Sequence, residues 1–287
     1  MGAEGTLGII TELVLKLRPI PAHRVGAVIA FSSLGPAVDT VVAIQRAGFE
    51  TALRCELMNA EGVRVTNAIY GTTLAPAPTL FLEFVGDSLE VPMEQVQAAV
   101  SMAKERGCCA DPLLARDGAQ LDDIWEGRRG CYLAAAKYRR KQGQDRGDVE
   151  PHPLDNVLVT DVCVPIPALV ECVTATEDDF RRAGIPCVLC AHIADGNFHC
   201  LIPYQAGDKE KVVALEHGCI ARALAMGGTV SGEHGVGLGK RRHICEEHGP
   251  VHMGVQQRLK RALDPANILN PSKVLLLDAA PDVRARL

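Results

Sequence analysis

The chain has 287 residues, 47% of them hydrophobic and 23% charged, with 30 Lys and Arg against 35 Asp and Glu. These fractions exclude a disordered or collagen-like chain, and the length is ample for a buried core in one large domain or two small ones. A net charge of -5 gives no general attraction to nucleic acid or to an anionic membrane surface, and no apolar run reaches the roughly 18 residues of a membrane helix.

The chain opens with a glycine-rich turn, Gly2 to Gly8, that runs into the apolar stretch Ile9–Leu17, expected as a strand ended by Pro19 and Pro21. No signal peptide is expected, since no basic segment precedes an apolar one. From there strands and helices alternate. Val25–Phe31 reads as a strand, Pro36–Ala47 as a helix stopped by Gly48, and Ala52–Leu57 as a strand. Glu61–Tyr70 reads as a helix, Thr79–Val85 as a strand, Val91–Arg106 as a helix and Gln120–Tyr138 as one more. Arg139–Pro153 is polar and reads as a loop or insertion. Val157–Val164 reads as a strand, Pro167–Ala183 as a helix, and Cys187–Ile193 with Phe198–Pro203 as a hairpin. Asp208–Ala225 is a helix before a glycine-rich loop, and Val251–Ala262 is a last helix before an extended tail. The hairpin favours an α+β fold, an antiparallel sheet with helices on one face, over a doubly wound parallel sheet. No Gly-x-Gly-x-x-Gly follows an early strand, so a nicotinamide-binding unit is not supported.

The eleven cysteines sit mostly in apolar runs and read as reduced, buried small hydrophobes. Chemistry concentrates in two places. In Cys190-Ala-His192-Ile-Ala-Asp195-Gly196-Asn197-Phe-His199, a two-residue turn at Asp195-Gly196 would set His192 opposite His199 on one sheet face. Two imidazoles there could hold one metal ion, or could be two surface histidines near a turn. In Ser231-Gly-Glu233-His234-Gly235, glycines remove bulk around an acid and a histidine. Glu233 could be a third ligand and His234 a base, or the segment could be a flexible glycine loop. A structural zinc knot from Cys187, Cys190 and His192 is the competing metal reading; on a strand, however, Cys187 and Cys190 face opposite sides. Arg128, after Trp125 on the expected helix, could clamp a carboxylate with two hydrogen bonds; Arg129, Arg139 and Arg140 are equally eligible on chemistry.

Several segments resemble a known family. Glu4-Gly-Thr-Leu-Gly-Ile-Ile-Thr11 resembles the end of the FAD-binding domain of vanillyl-alcohol-oxidase-like flavoproteins. Ala77-Pro-Thr-Leu-Phe-Leu-Glu83, Thr160-Asp-Val-Cys-Val-Pro-Ile166, His192 to His199, Ser231 to Gly235 and Asp264-Pro-Ala-Asn-Ile-Leu-Asn-Pro271 resemble, in that order, the C-terminal half of FAD-linked D-lactate dehydrogenases of the cytochrome type. Glycolate oxidase subunits and D-2-hydroxyglutarate dehydrogenase are relatives.

The resemblance implies three parts: 1–20 as the end of a FAD-binding domain, 21–245 as a ferredoxin-like cap for substrate and metal, and 246–287 as a C-terminal helix and tail returning to the flavin domain. It implies that His192, His199 and Glu233 bind Zn²⁺ or Mn²⁺, that His234 takes the hydroxyl proton, and that Arg128 holds the substrate carboxylate. Gly5, Thr6, Gly8, Ile10 and Asn270 would touch FAD. The implied reaction is oxidation of a small D-2-hydroxy acid, D-lactate first, with hydride passing to FAD and electrons to cytochrome c or a quinone. In the hydroxyglutarate branch a lysine stands two residues before the strand aspartate; Val159 stands there here, which favours a small uncharged side arm. The sequence departs from the family at Ala194 and Ser272, where glycine is usual, and in the long Arg139–Pro153 segment beside the Arg128 helix. A flavin domain on a separate polypeptide stays open as a partner. The implied location is mitochondrial in a eukaryote, otherwise cytoplasmic or peripheral at the inner membrane, with any targeting segment upstream. The alternative is a non-catalytic metal-binding or interaction domain without flavin, with a metal hydrolase as a distant third.

Overall fold

The structure, a computed structural model, describes residues 2–145, 157–275 and 277. These fall into two compact units, one from Pro19 to Gly228 and one joining Met1–Arg18 to Thr229–Leu287.

The larger unit is built on β1 (His23–Ala30), α1 (Leu34–Ala47), β2 (Ala52–Met58), α2 (Ala60–Tyr70), β3 (Thr79–Gly86), α3 (Glu90–Glu105) and β4 (Leu113–Ala115). It continues through α4 (Gly118–Arg129), α5 (Cys131–Asp145), β5 (Val157–Val159), β6 (Val162–Cys163), α6 (Ile166–Ala183), β7 (Val188–His192), β8 (Asn197–Pro203) and α7 (Lys209–Ala225). Local chemistry sets several boundaries. Asn59 caps α2 by accepting from the Gly62 amide, and α1, α2 and α6 end on left-handed Gly48, Gly71 and Gly184. All strand pairings are antiparallel, in the order β4-β1-β3-β2-β7-β8-β5, with β6 also on β8. The 4-1-3-2 order of the first four strands is the ferredoxin-like arrangement.

Alternation along the strands gives the sheet two distinct faces. Helices α1, α3 and α6 pack together on one side. The expectation of helices on that face alone needs extending: α2, α4 and α5 lie over the other. There Val28, Met58, Phe81, Val188, Cys190 and Leu201 form a core with Leu121 and Trp125 of α4 and Ala134 and Ala135 of α5. Glu83 is also buried, 1% exposed, and is answered by Arg24 at 2.9 Å and Arg54 at 3.4 Å. A buried carboxylate persists only when paired in this way.

Five expectations are corrected. Residues 9–17 form no strand; they have no ladder partner among the described residues, and Ile9, Val14 and Leu17 are exposed. The helix expected over Gln120–Tyr138 divides into α4 and α5 at Gly130, whose Cα lies against the ring of Tyr70 where a Cβ would meet it at 2.5 Å. The polar segment from Arg139 is helical as far as Asp145, and the rest of the expected loop lies outside the described residues. The strand expected over Val157–Val164 splits at Thr160 and Asp161, because the Thr160 side chain, rather than its backbone, accepts from the Cys200 amide. Strand β4, too short for a periodic signal, was not expected.

The fifth correction concerns the hairpin. Its loop is four residues long, a 3-10 turn over Ile193–Asp195 followed by left-handed Gly196. His192 therefore pairs with Asn197, and Cys190 with His199. A two-residue turn would have moved the register by two, and a shift of two keeps every side chain on its face. His192 and His199 are diagonal neighbours instead of directly opposed ones.

In the smaller unit, α8 (Ile244–Leu263) is two helical stretches divided at Gly249, whose φ of 81° is not helical; the second is the helix expected from Val251, and the first was not expected. Lys260 is buried, donates to the Thr6 carbonyl at 2.8 Å and the Leu269 carbonyl at 2.7 Å, and pairs with Asp264. Asp264 in turn accepts from the Ile268 and Leu269 amides. No helix among the described residues is long and apolar enough to cross a membrane.

Substitutions at Gly196 and Asp264 test these contacts. Gly196 has φ of 75°, and a Cβ there would sit 2.1 Å from the Val164 carbonyl oxygen. Gly196→Ala should cost at least about 2 kcal/mol in urea unfolding, from left-handed strain plus the clash. The Lys260 hydrogen bond, with smaller help from the Leu269 and Ile268 amides, holds the Asp264 carboxyl below the ordinary carboxylate value. Between its folded and unfolded pKa values the unfolded state binds more protons, so this contribution is complete above the unfolded value and lost as pH falls through the folded one. Asp264→Asn should flatten the acid side of the stability–pH curve below about pH 5.

Candidate metal and substrate site

Strands β2, β7 and β8 present one row of side chains to the α4–α5 side. The β2–β7 register pairs Leu57 with Ala191 and Met58 with Cys190, so its next step sets Glu56 opposite His192. His192 and His199 then lie with ring centroids 5.4 Å apart and planes nearly perpendicular. Each ring is anchored through Nδ1. His192 Nδ1 is 3.0 Å from Glu56 Oε1. His199 Nδ1 is 3.1 Å from the Thr160 carbonyl, with Asp161 Oδ1 at 3.8 Å. Carbonyls and carboxylates only accept, so both Nδ1 atoms carry the hydrogen and the lone pair of each neutral ring sits on Nε2. Two such imidazoles are a donor set suited to a divalent ion.

Arg128, at the end of α4, donates from Nη2 to Glu56 Oε2 at 2.8 Å. Its side chain and that of Glu56 are 15% and 12% exposed. Burial pushes the Glu56 carboxyl up, but the His192 hydrogen bond and the charge and hydrogen bond of Arg128 outweigh it and hold the carboxyl below its ordinary value. Glu56 is therefore a carboxylate at neutral pH, with one oxygen for each partner. Around His199, Asn197 donates to Asp161 Oδ1 at 3.0 Å and to the Val162 carbonyl at 3.1 Å, which fixes the β6 end of the row.

Of the residues expected from sequence, His192, His199 and Arg128 belong to this unit, and Glu56 links two of them. The sequence reading passed over Glu56, Thr160 and Asp161 as parts of the site. A signal for Glu56 was available: in Ala52-Leu-Arg-Cys-Glu56-Leu-Met it takes an inward position of a strand, where a charge needs a partner. The Cys187 knot is not formed. Cys190 shares the His199 face and contacts Cys131, whereas Cys187 contacts Cys200 on the opposite face.

The remaining expected residues belong to the smaller unit. Glu4 accepts from the Val236 and Gly237 amides at 2.6 and 2.9 Å, and so ties the opening turn to the glycine loop. Ser231 donates to the Gly235 carbonyl at 2.9 Å and closes the loop over Glu233 and His234, both about half-exposed. Asn270 donates to the Glu4 carbonyl at 2.5 Å, and Thr6 is buried by its bond to Ala3. Gly5 has φ of 72° beside Asn270, while Gly8 and Ile10 lie beyond this cluster on exposed backbone.

Residues 20–274 match the family model described as FAD linked oxidases, C-terminal domain. A protein of Danio rerio named "Probable D-lactate dehydrogenase, mitochondrial" is 38% identical over 280 residues, covering 96% of this chain and 53% of that protein. The "D-lactate dehydrogenase [cytochrome], mitochondrial" of Arabidopsis thaliana is 33% identical and is matched over 96% of this chain and 46% of its own length. The chain thus spans about half the length of these curated relatives. Among solved structures, 4-ethylphenol oxidase from Gulosibacter chungangensis has the same fold, with a TM-score of 0.63 at 13% identity over 92% of this chain and 56% of that one. The chain belongs to the family of FAD linked oxidases through their C-terminal domain.

Proposed function

We propose that this chain provides the substrate- and metal-binding part of a FAD-dependent dehydrogenase of small D-2-hydroxy acids, with D-lactate as the leading substrate. The observation that carries the reading is the pair of imidazoles on β7 and β8, both anchored through Nδ1. The names of the relatives support the substrate and, in a eukaryote, a mitochondrial location; one carries the word cytochrome, which supports a cytochrome as electron acceptor.

His192 and His199 would hold a divalent ion, Zn²⁺ or Mn²⁺, and the family resemblance adds Glu233 as third ligand. When bound, such an ion supplies positive charge that lowers the pKa of the α-hydroxyl. His234 would accept that hydroxyl proton. A guanidinium has five N–H donors, so Arg128 can pair with Glu56 and still offer donors to a substrate carboxylate. Gly5, Thr6, Gly8, Ile10 and Asn270 would touch FAD, which when bound would supply a two-electron acceptor. The positive φ of Gly5 and the fixed side chain of Asn270 suit close approach of a planar ligand. Val159 packs on the apolar core beside the site, which supports a substrate with a short uncharged side arm.

Metal analysis tests the reading. The purified protein should carry about one equivalent of divalent metal, and His199→Ala should lower it about tenfold. Unchanged metal content in that variant would contradict the assignment. With metal bound, the His192 and His199 ring signals should shift more on adding D-lactate than on adding L-lactate, and Arg128→Met should weaken that response about tenfold or more. Equal responses to the two enantiomers would argue against a D-2-hydroxy acid site.

A further inference from the structure

Glu56 has no place in the roles set out above, yet it is the group that touches both His192 and Arg128. We infer that Glu56 is a positioning residue: its shared carboxylate selects which nitrogen of His192 is left for the metal and holds Arg128 in register with that ligand. This rests on the metal reading of His192.

Three observations carry it. The first is the register, Leu57 opposite Ala191 and Met58 opposite Cys190, whose next step sets Glu56 across from His192. The second is the division of its oxygens, Oε1 at 3.0 Å from His192 Nδ1 and Oε2 at 2.8 Å from Arg128 Nη2. The third is burial. At 12% exposure water cannot readily replace either partner, so the pattern of donors is imposed by the protein.

His199 provides the internal contrast. It reaches the same Nδ1–H tautomer through a neutral backbone carbonyl, which a side-chain substitution does not alter. His192 depends on a side chain that carries charge. A carboxylate behind a ligating imidazole fixes the tautomer and raises the basicity of the far nitrogen, and its loss typically weakens metal binding 10- to 100-fold.

Glutamine cannot fill the place, although it has nearly the same shape. With its oxygen toward His192, its NH₂ faces the Arg128 guanidinium, donor against donor. Turned over, the NH₂ faces Nδ1, which favours the lone pair there and the hydrogen on Nε2, the tautomer that cannot ligate. The first orientation loses the Arg128 contact, whereas the second keeps both hydrogen bonds by reversing the His192 tautomer and is therefore the favoured one. Aspartate keeps the charge but is one methylene shorter.

The test uses the full-length protein, metal-free and then titrated with Zn²⁺, with ¹⁵N-labelled histidine and long-range ¹H–¹⁵N correlation spectra to read each tautomer. In the wild type both His192 and His199 should show the Nδ1–H form. In Glu56→Gln, His192 should lose it, His199 should keep it, and zinc affinity should fall about 10- to 100-fold. Unaltered His199 reports that the hairpin is still folded. Glu56→Asp serves if the glutamine variant does not fold; it should retain Nδ1–H on His192 and weaken zinc less than about tenfold. An Nε2–H form of His192 in the wild type would overturn the inference, as would a glutamine variant with unchanged tautomer and zinc affinity. A wild type that takes up no zinc while His192 keeps Nδ1–H, and loses it in Glu56→Gln, would overturn the metal reading and leave the positioning role supported.

Discussion

A carboxylate buried against a sheet must be compensated, and the way Glu56 is compensated organises the site around it. Removing one partner from a buried ion pair costs on the order of 3–5 kcal/mol, so the arrangement is held firmly even where its net contribution to stability is small. The same sheet carries a second buried acid, Glu83, answered by Arg24 and Arg54. Glu83 spends both contacts on arginines and so ties β3 to β1 and β2. Glu56 gives one contact to an arginine and the other to a histidine. That difference is the basis of the positioning role proposed for Glu56, since one of its oxygens faces an imidazole ring and the other a guanidinium.

The sheet's alternation is the second constraint. Glu56, His192 and His199 share a face because they sit at even offsets on strands in antiparallel register. The histidine pair could be read from sequence even though the turn was assigned two residues too short. An error of two in register returns each side chain to the same face, whereas an error of one would have separated the rings. Diagonal placement leaves the centroids 5.4 Å apart, a spacing that suits two ligands of one ion. The helices bounded by glycine or asparagine were legible because their stop and start signals are local.

What the sequence hid depended on distant partners. The apolar run Ile9–Leu17 carries a strand's composition, but a ladder needs a neighbour, which periodicity does not reveal. The break at Thr160 arises because a threonine hydroxyl takes over a ladder bond 40 residues away. The Glu56–Arg128 pair spans 72 positions, and nothing near Arg128 distinguishes it from Arg129. Arg129 instead pairs with Asp122 on the surface, half-exposed, where an ion pair contributes little. The cysteines were legible only in part, since six of the eleven are buried as expected while Cys109 and Cys245 are exposed. All eleven are free, and burial raises the thiol of Cys172 to about 12, which keeps it a neutral core side chain. In the smaller unit the Glu4 carboxylate, seated on two consecutive amides, links the opening turn to the glycine loop across more than 230 residues.

The central claim is that the β7–β8 hairpin offers two Nε2 atoms to one metal ion. X-ray absorption spectroscopy of the zinc-loaded protein tests it most directly, because imidazole rings give outer-shell scattering that carboxylates and water do not. The account predicts two imidazole ligands with Zn–N distances of about 2.0–2.1 Å, completed by oxygen ligands. A zinc environment with no imidazole scattering, or one dominated by sulfur, would contradict it.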